Sequence, residues 1–144
     1  MKKILALLIL AGAAYWLYHI NFIEDIQVEF ALRNISKLIE KGNLPELDRY
    51  ISQSYADADG YDRASRLSWI ENQLAPENGV KVDLDVHSKK FENKTRCHVD
   101  QSLFLCMPKY SGSYDASPVV VRVTFQKEMD GQWRAVSSEK VNPK

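Results

Sequence analysis

The stretch "VVVRVTFQKEMDGQWRAVSSEKV", residues 119–141, decides the fold class. Two runs rich in β-branched and aromatic residues flank Asp130-Gly131, the strongest short hairpin signal in the chain, because a tight reversal needs residues that tolerate positive φ. Upstream, "VKVDLDVHS" (80–88) alternates strictly, with Val80, Val82, Leu84 and Val86 on one side and Lys81, Asp83, Asp85 and His87 on the other. A period of two predicts a strand with one buried face. "TRCHV" (95–99) and "LFLCM" (103–107) read as two further strands, "ENG" (77–79) as a turn and "SGSYDASP" (111–118) as a loop.

The residues before these strands follow a helical period. In "NFIEDIQVEFALRNISKLIEKGN" (21–43), Val28, Ala31, Leu32, Ile35, Leu38 and Ile39 form one apolar stripe. Asn21 with Glu24 has capping-box spacing, the alternative being that the apolar helix before it runs on with little break at Asn21, and Gly42 is placed to end the helix in a left-handed conformation. "NLPELDRYI" (43–51) predicts a short helix capped by Asn43, with Pro45 in the first turn where its missing N–H is harmless. "SQSYADADG" (52–60) is a polar link. "YDRASRLSWIENQLAP" (61–76) predicts a third helix capped by Asp62, with Ala64, Leu67, Ile70 and Leu74 on one face and Pro76 beyond its end. Helices first and antiparallel strands after them mean an α+β domain.

The head of the chain is different in kind. An apolar run follows Lys2 and Lys3 and extends from Ile4 to Ile20. Twenty helical residues span roughly 30 Å, the thickness of a bilayer's hydrocarbon core. Tyr15, Trp16, Tyr18 and His19 cluster where amphipathic rings settle at the headgroups, and the two lysines place the N-terminus in the cytoplasm. The expected organisation is therefore a membrane anchor over 1–23 and a domain over 24–144. Its place is the bacterial inner membrane, single-pass, with the domain periplasmic. Cleavage after "AGA" (11–13), releasing the domain to the periplasm, is the rival, although the apolar stretch before it is short for a signal peptide. Lipidation is excluded, because Ala13 stands where a cysteine acceptor is required. The 144 residues carry 19 basic and 19 acidic side chains, a formal net charge of zero, which leaves no basic stripe for a nucleic acid.

The order of three helices and then strands, the phrase "LPELDRYISQSYADADGYDRASRLSWIENQL" (44–74) and the closing hairpin "VTFQKEMDGQWRAVSSEKV" (123–141) resemble the nuclear transport factor 2-like superfamily. The resemblance covers residues 26–141, with a Gly before the third helix and a Gly-x-Trp on the last strand. It implies a curved antiparallel sheet wrapped around helices, a cone with a pocket. It also implies relatives that range from ketosteroid isomerases and SnoaL-like cyclases to non-enzymatic domains tethered to bacterial membranes. Fold of this kind does not specify activity.

Cys97 and Cys106 are the only cysteines. If Gln101-Ser102 is a two-residue turn, Cys97 falls opposite Cys106 at a non-hydrogen-bonded position, where Cα atoms lie about 4.5 Å apart, within disulfide range; Gln-Ser is not a favoured tight turn, and a longer loop is the alternative. An extracytoplasmic domain would keep such a bridge. Free thiols are the second reading. A metal held by Cys97, His98 and Cys106 is the third, opposed by the opposite facing of His98 and Cys97 along a strand.

No nucleophile elbow, phosphate loop, dinucleotide fingerprint or zinc-protease motif is present. Acid–base candidates near the cone mouth are Tyr50, Tyr55, Asp57, Asp59 and Tyr61, although Asp in a polar link is ordinary turn chemistry. Tyr50, Tyr55, Tyr61, Trp69 and Trp133 are candidate pocket residues, against plain core packing for each. No catalytic position can be assigned, and no metal or cofactor is expected. The expected function is a membrane-tethered binding or scaffold domain taking a protein partner or small ligand, with no nucleic acid. Self-association through the sheet is a further expectation, and an isomerase-, dehydratase- or cyclase-like enzyme using the pocket is the alternative.

Overall fold

The computed structural model describes residues 1–73, 81–106 and 119–141, with the backbone only at 20–22 and 103–106. Four antiparallel strands, β1 (Lys81–Asn93), β2 (Arg96–Cys106), β3 (Val119–Lys127) and β4 (Trp133–Lys140), follow one another in a meander of order β1-β2-β3-β4. Helix α1 (Lys2–Lys41) lies across one face, with α2 (Leu44–Leu47), a 3₁₀ turn (Asp48–Tyr50) and α3 (Arg63–Gln73) closing its end. The expected α+β architecture is the observed one. Register shifts between Val86 and Ser88 on β1 and, opposite Thr124/Phe125, at Val136 on β4 add the local twist that bends the sheet around α1. The first of these lets Val82, Leu84 and Val86 face inward ahead of the shift while Lys89 faces α1 beyond it.

Helix α1 is 40 residues long and does not break at Asn21, so the cap expected there does not exist. The reason is simple: residues 17–20 are already helical and supply acceptors for the N–H groups that a cap would otherwise serve. From Ile4 to Tyr18 its large apolar side chains are exposed all round, with Leu8 and Leu10 both at 66%. A helix that buries nothing over this length is no core helix, and it is long and apolar enough to cross a membrane. Past residue 23 the helix turns amphipathic, and Val28, Ala31 and Leu32 enter the core.

The capping logic holds elsewhere. Gly42 adopts φ 67° and ψ 24°, and the N–H groups of Gly42 and Asn43 reach back to Ile39 O and Leu38 O in a Schellman closure. Asn43 Oδ1 accepts from Glu46 N at 3.3 Å. Asp62 and Ser65 cap α3 reciprocally, Ser65 N donating to Asp62 Oδ1 at 2.9 Å and Asp62 N to Ser65 Oγ at 3.0 Å. At the β3–β4 hairpin Gly131 takes φ 81° and Glu128 N donates to Gln132 O.

The core joins Val28, Ala31 and Leu32 of α1 to Ile51, Tyr55, Cys97, Val99, Phe125, Trp133 and Ala135. A smaller cluster around Leu47 and Ile70 fixes α2 and α3 against the far end of α1. Ion pairs tie the near end of α1 to the sheet: Lys89 Nζ to Asp25 and Glu29, each at 2.8 Å, and Lys127 Nζ to Glu24 at 2.7 Å. The turn "ENG", the loop "SGSYDASP" and the positions of Leu74, Pro76 and Val80 lie outside the described residues.

One expectation is corrected. "TRCHV" and "LFLCM" are not two strands around a Gln101-Ser102 turn but parts of the single strand β2. Its reversal comes earlier, at Lys94-Thr95, where Asn93 Oδ1 accepts from Thr95 N at 2.9 Å, an Asx-type closure. Cys97 therefore pairs with Phe91 and Phe125, and Cys106 with Lys81. Nine residue steps along an extended strand set the two cysteines roughly 30 Å apart, far beyond disulfide reach. Cys97 is a free, fully buried thiol.

Candidate functional site

The concave face of the sheet and α1 do not close on each other at the C-terminal end of the helix. Between them lies an apolar cavity of about 240 Å³. Its walls come from Leu32, Ile35 and Ile39 of α1, Trp69 and Ile70 of α3, and Leu84, Val121 and Val123 of the sheet. The helix stripe and the strand alternation that were read from the sequence meet here, because both periods bring their apolar faces inward. The volume falls just under the ~300 Å³ at which pockets for drug-sized ligands begin, so the space suits a smaller molecule.

Polar groups reach the cavity at few places. Tyr55 lines it, and its hydroxyl lies 2.9 Å from both Asp57 Oδ2 and Ser138 Oγ. Burial, with the Asp57 carboxylate adding to it, pushes the Tyr55 phenol up to about 12. Arg66 also lines the cavity, donating from Nε to Asp57 Oδ2 at 2.8 Å and reaching Asp59 Oδ2 at 3.3 Å. Its guanidinium sits 4.1 Å over the Tyr61 ring and 5.2 Å from that of Trp69.

Asp57 is the acid that an isomerase-like reading would choose as base, and its surroundings decide against that role. Its side chain is fully buried behind Tyr55 and Arg66. Oδ2 serves Tyr55 and Arg66, while Oδ1 accepts from the backbone N–H of Asp59 and Tyr61 at 3.1 and 3.0 Å. Burial opposes ionisation, but the Arg66, Tyr61 and Tyr55 hydrogen bonds outweigh it and hold the carboxyl below the usual carboxylate range. A general base for carbon acids needs a raised pKa and a free lone pair, and Asp57 has neither.

The sequence-predicted aromatic residues separate. Tyr55 and Trp69 line the cavity. Tyr50 packs beside the core and accepts from Asn34 Nδ2 at 3.0 Å, and Tyr61 lies beneath Arg66. Trp133 is buried at the other end of the core, edge-on to Phe91 at 6.0 Å, its Nε1 donating to Glu24 at 3.0 Å. Sequence reasoning missed Gln101. It lines the cavity, is 4% exposed, and its Oε1 is buried without a hydrogen-bond partner.

A larger, shallow trough of about 450 Å³ crosses the outer face of the sheet. Most of its side chains engage one another: His98 lies between Thr124 and Glu92, and Arg122 grips Asp100 through two bonds of 2.7 and 2.9 Å. Among the described residues no group of His, Cys, Asp or Glu is assembled for a metal ion, and His98 faces away from Cys97. Burial pushes the Cys97 thiol up to about 11. Cys97 is accordingly expected to resist iodoacetamide at neutral pH in the folded Cys106→Ser chain and to react once urea unfolds it, as read by mass spectrometry.

No protein-family model matches the sequence, and no curated protein matches it. Solved structures share the fold. A protein of unknown function with a cystatin-like fold from Nostoc punctiforme superposes with a TM-score of 0.67 at 10% identity, over 85% of this chain and 78% of the other. A nuclear transport factor 2-like protein of unknown function from Shewanella oneidensis gives 0.66 at 13%, over 82% and 98%. A putative scytalone dehydratase from Novosphingobium aromaticivorans gives 0.66 at 14%, over 88% and 89%. At such identities the likeness establishes the architecture, which is the nuclear transport factor 2-like, cystatin-like fold, and leaves the chemistry to the site.

Proposed function

We propose that this chain is a membrane-tethered, periplasmic binding domain that holds a small ligand with a largely apolar body in the cavity between α1 and the sheet and does not transform it. The observation that carries the reading is the open apolar cavity whose neighbouring carboxylates, Asp57 and Asp59, are both committed to Arg66. A scaffold would fill this space with side chains, and an isomerase would aim an unengaged acid into it. The anchor reading rests on the exposed apolar half of α1.

The test is ligand-observed NMR on the full chain in lipid nanodiscs, with empty nanodiscs as reference, against a panel of water-soluble aromatic and aliphatic acids and alcohols. Binders are expected, recovered chemically unchanged, and lost when Val121→Trp fills the cavity. Binding that survives Val121→Trp, or an empty panel, would count against the cavity. Conversion of a panel member that stops in Asp57→Asn would establish the enzyme instead.

A further inference from the structure

On the concave face, one cross-strand row runs Val86, Gln101, Val121, Lys140 through all four strands. Gln101 and Lys140 thus stand two strand spacings apart, roughly 10 Å, with Val121 as an apolar floor between them. All but Val86 line the cavity.

The two polar ends of this row differ. Gln101 is 4% exposed, and its Oε1 accepts from nothing although it is sealed from solvent. A buried acceptor left open in a central strand is uncommon and marks a place that something else completes. Lys140 is exposed at the cavity's edge. The acidic side chains nearest in sequence and in the cavity wall are engaged elsewhere, Glu139 with Arg122 at 3.6 Å and Asp59 with Arg66 at 3.3 Å. No acid pairs with Lys140 among the described residues.

From this row we infer the chemistry of the ligand: an amphipathic anion with a hydrogen-bond donor at its inner end for Gln101 Oε1, a flat or slender apolar body over Val121, and a carboxylate or like anion at the mouth for Lys140. The inference rests on the binding reading above and narrows it. A neutral hydrocarbon would leave Gln101 unpaired, and a cation would meet Lys140 with the wrong sign.

Three probes of one shape test it on the full chain in nanodiscs: 6-hydroxy-2-naphthoate, which carries both groups, 2-naphthoate, which lacks the donor, and 2-naphthol, which lacks the anion. Titration is expected to show 6-hydroxy-2-naphthoate binding about tenfold tighter than 2-naphthoate, a preference that Gln101→Leu abolishes. Its advantage over 2-naphthol should be a few-fold, should shrink with added salt, and should vanish in Lys140→Gln, a surface change that leaves the core untouched. Equal binding of all three probes would overturn the inference while leaving the cavity as a binding site. No binding of any probe would overturn both. If Gln101→Leu does not fold, the wild-type ranking and Lys140→Gln decide the matter by themselves.

Discussion

Phe125→Ala is expected to lower the unfolding free energy by about 3–5 kcal/mol, the range for removing a fully buried aromatic side chain. Phe125 is the largest fully buried side chain among the described residues, and it faces Cys97 on β2 and Ala135 on β4. Both neighbours are small and rooted in strands, so they cannot move in to fill the gap, which argues for the upper part of that range. Single domains hold only about 5–15 kcal/mol in total, so the variant should be close to unfolding at room temperature. Urea titration of the full chain in nanodiscs, followed by the fluorescence of Trp69 and Trp133, measures it. Phe91→Ala is the control: Phe91 is 37% exposed, and its loss should cost less than half as much. Equal losses at the two positions would show that the core is not centred where the structure places it.

The second large effect is expected at Asp57. Removing one partner of a buried ion pair costs about 3–5 kcal/mol. Asp57→Asn should fall near 3 kcal/mol, because Arg66 keeps Asp59 and some contact with water. The pH dependence has a definite sign. The Asp57 carboxyl is held below its ordinary value in the folded state, since its hydrogen bonds outweigh burial. Its contribution is therefore fully present above the unfolded pKa of about 3.9 and is lost as pH falls through the lower folded value. Wild type should lose stability on acidification below about pH 4 more steeply than Asp57→Asn, whose amide does not titrate. Parallel pH profiles would mean that the Asp57 carboxyl titrates alike in the folded and the unfolded chain, against the hydrogen bonding that surrounds it. Because the same hydrogen bonds fix Tyr55 and Arg66, the variant should also loosen the cavity wall and weaken whatever ligand binds there.

Local rules with a single mechanism read correctly from the residues. Gly42, Asn43 and Asp62 end or start helices as their chemistry dictates, Asp130-Gly131 turns the last hairpin, and the alternation of 81–87 is a half-buried strand. The membrane-type helix and the apolar stripe of 28–39 were equally plain, and the residues also allowed one to run into the other at Asn21, whose capping signal the preceding helix makes idle. The misreading of 95–107 has a physical source. Gln101-Ser102 is not a favoured tight turn, but it separates two apolar runs, and the symmetric spacing of Cys97 and Cys106 about it suggested a hairpin. The actual reversal uses the Asn93 side chain, a weaker signal than glycine. Gln101 interrupts the strand pattern because it borders a cavity rather than a packed core, so the local rule fails where the site lies. Tyr55 and Trp69 could be picked out as aromatic residues near the pocket, whereas the commitment of Asp57 to Arg66 depends on a loop closing back on α3 and leaves no trace in spacing.

The unbroken α1 also sets a height. With residues 4–23 seated in a bilayer, Leu32 stands about 14 Å and Ile39 about 24 Å further along the same rigid rod. On that seating the chamber would be held aloft on a stiff mast, out of reach of acyl tails, with its orientation set by the rod instead of wandering on a flexible leash. Cargo would then arrive from the aqueous side, and a tilt imposed on the rod from within the lipid would swing the whole chamber with it.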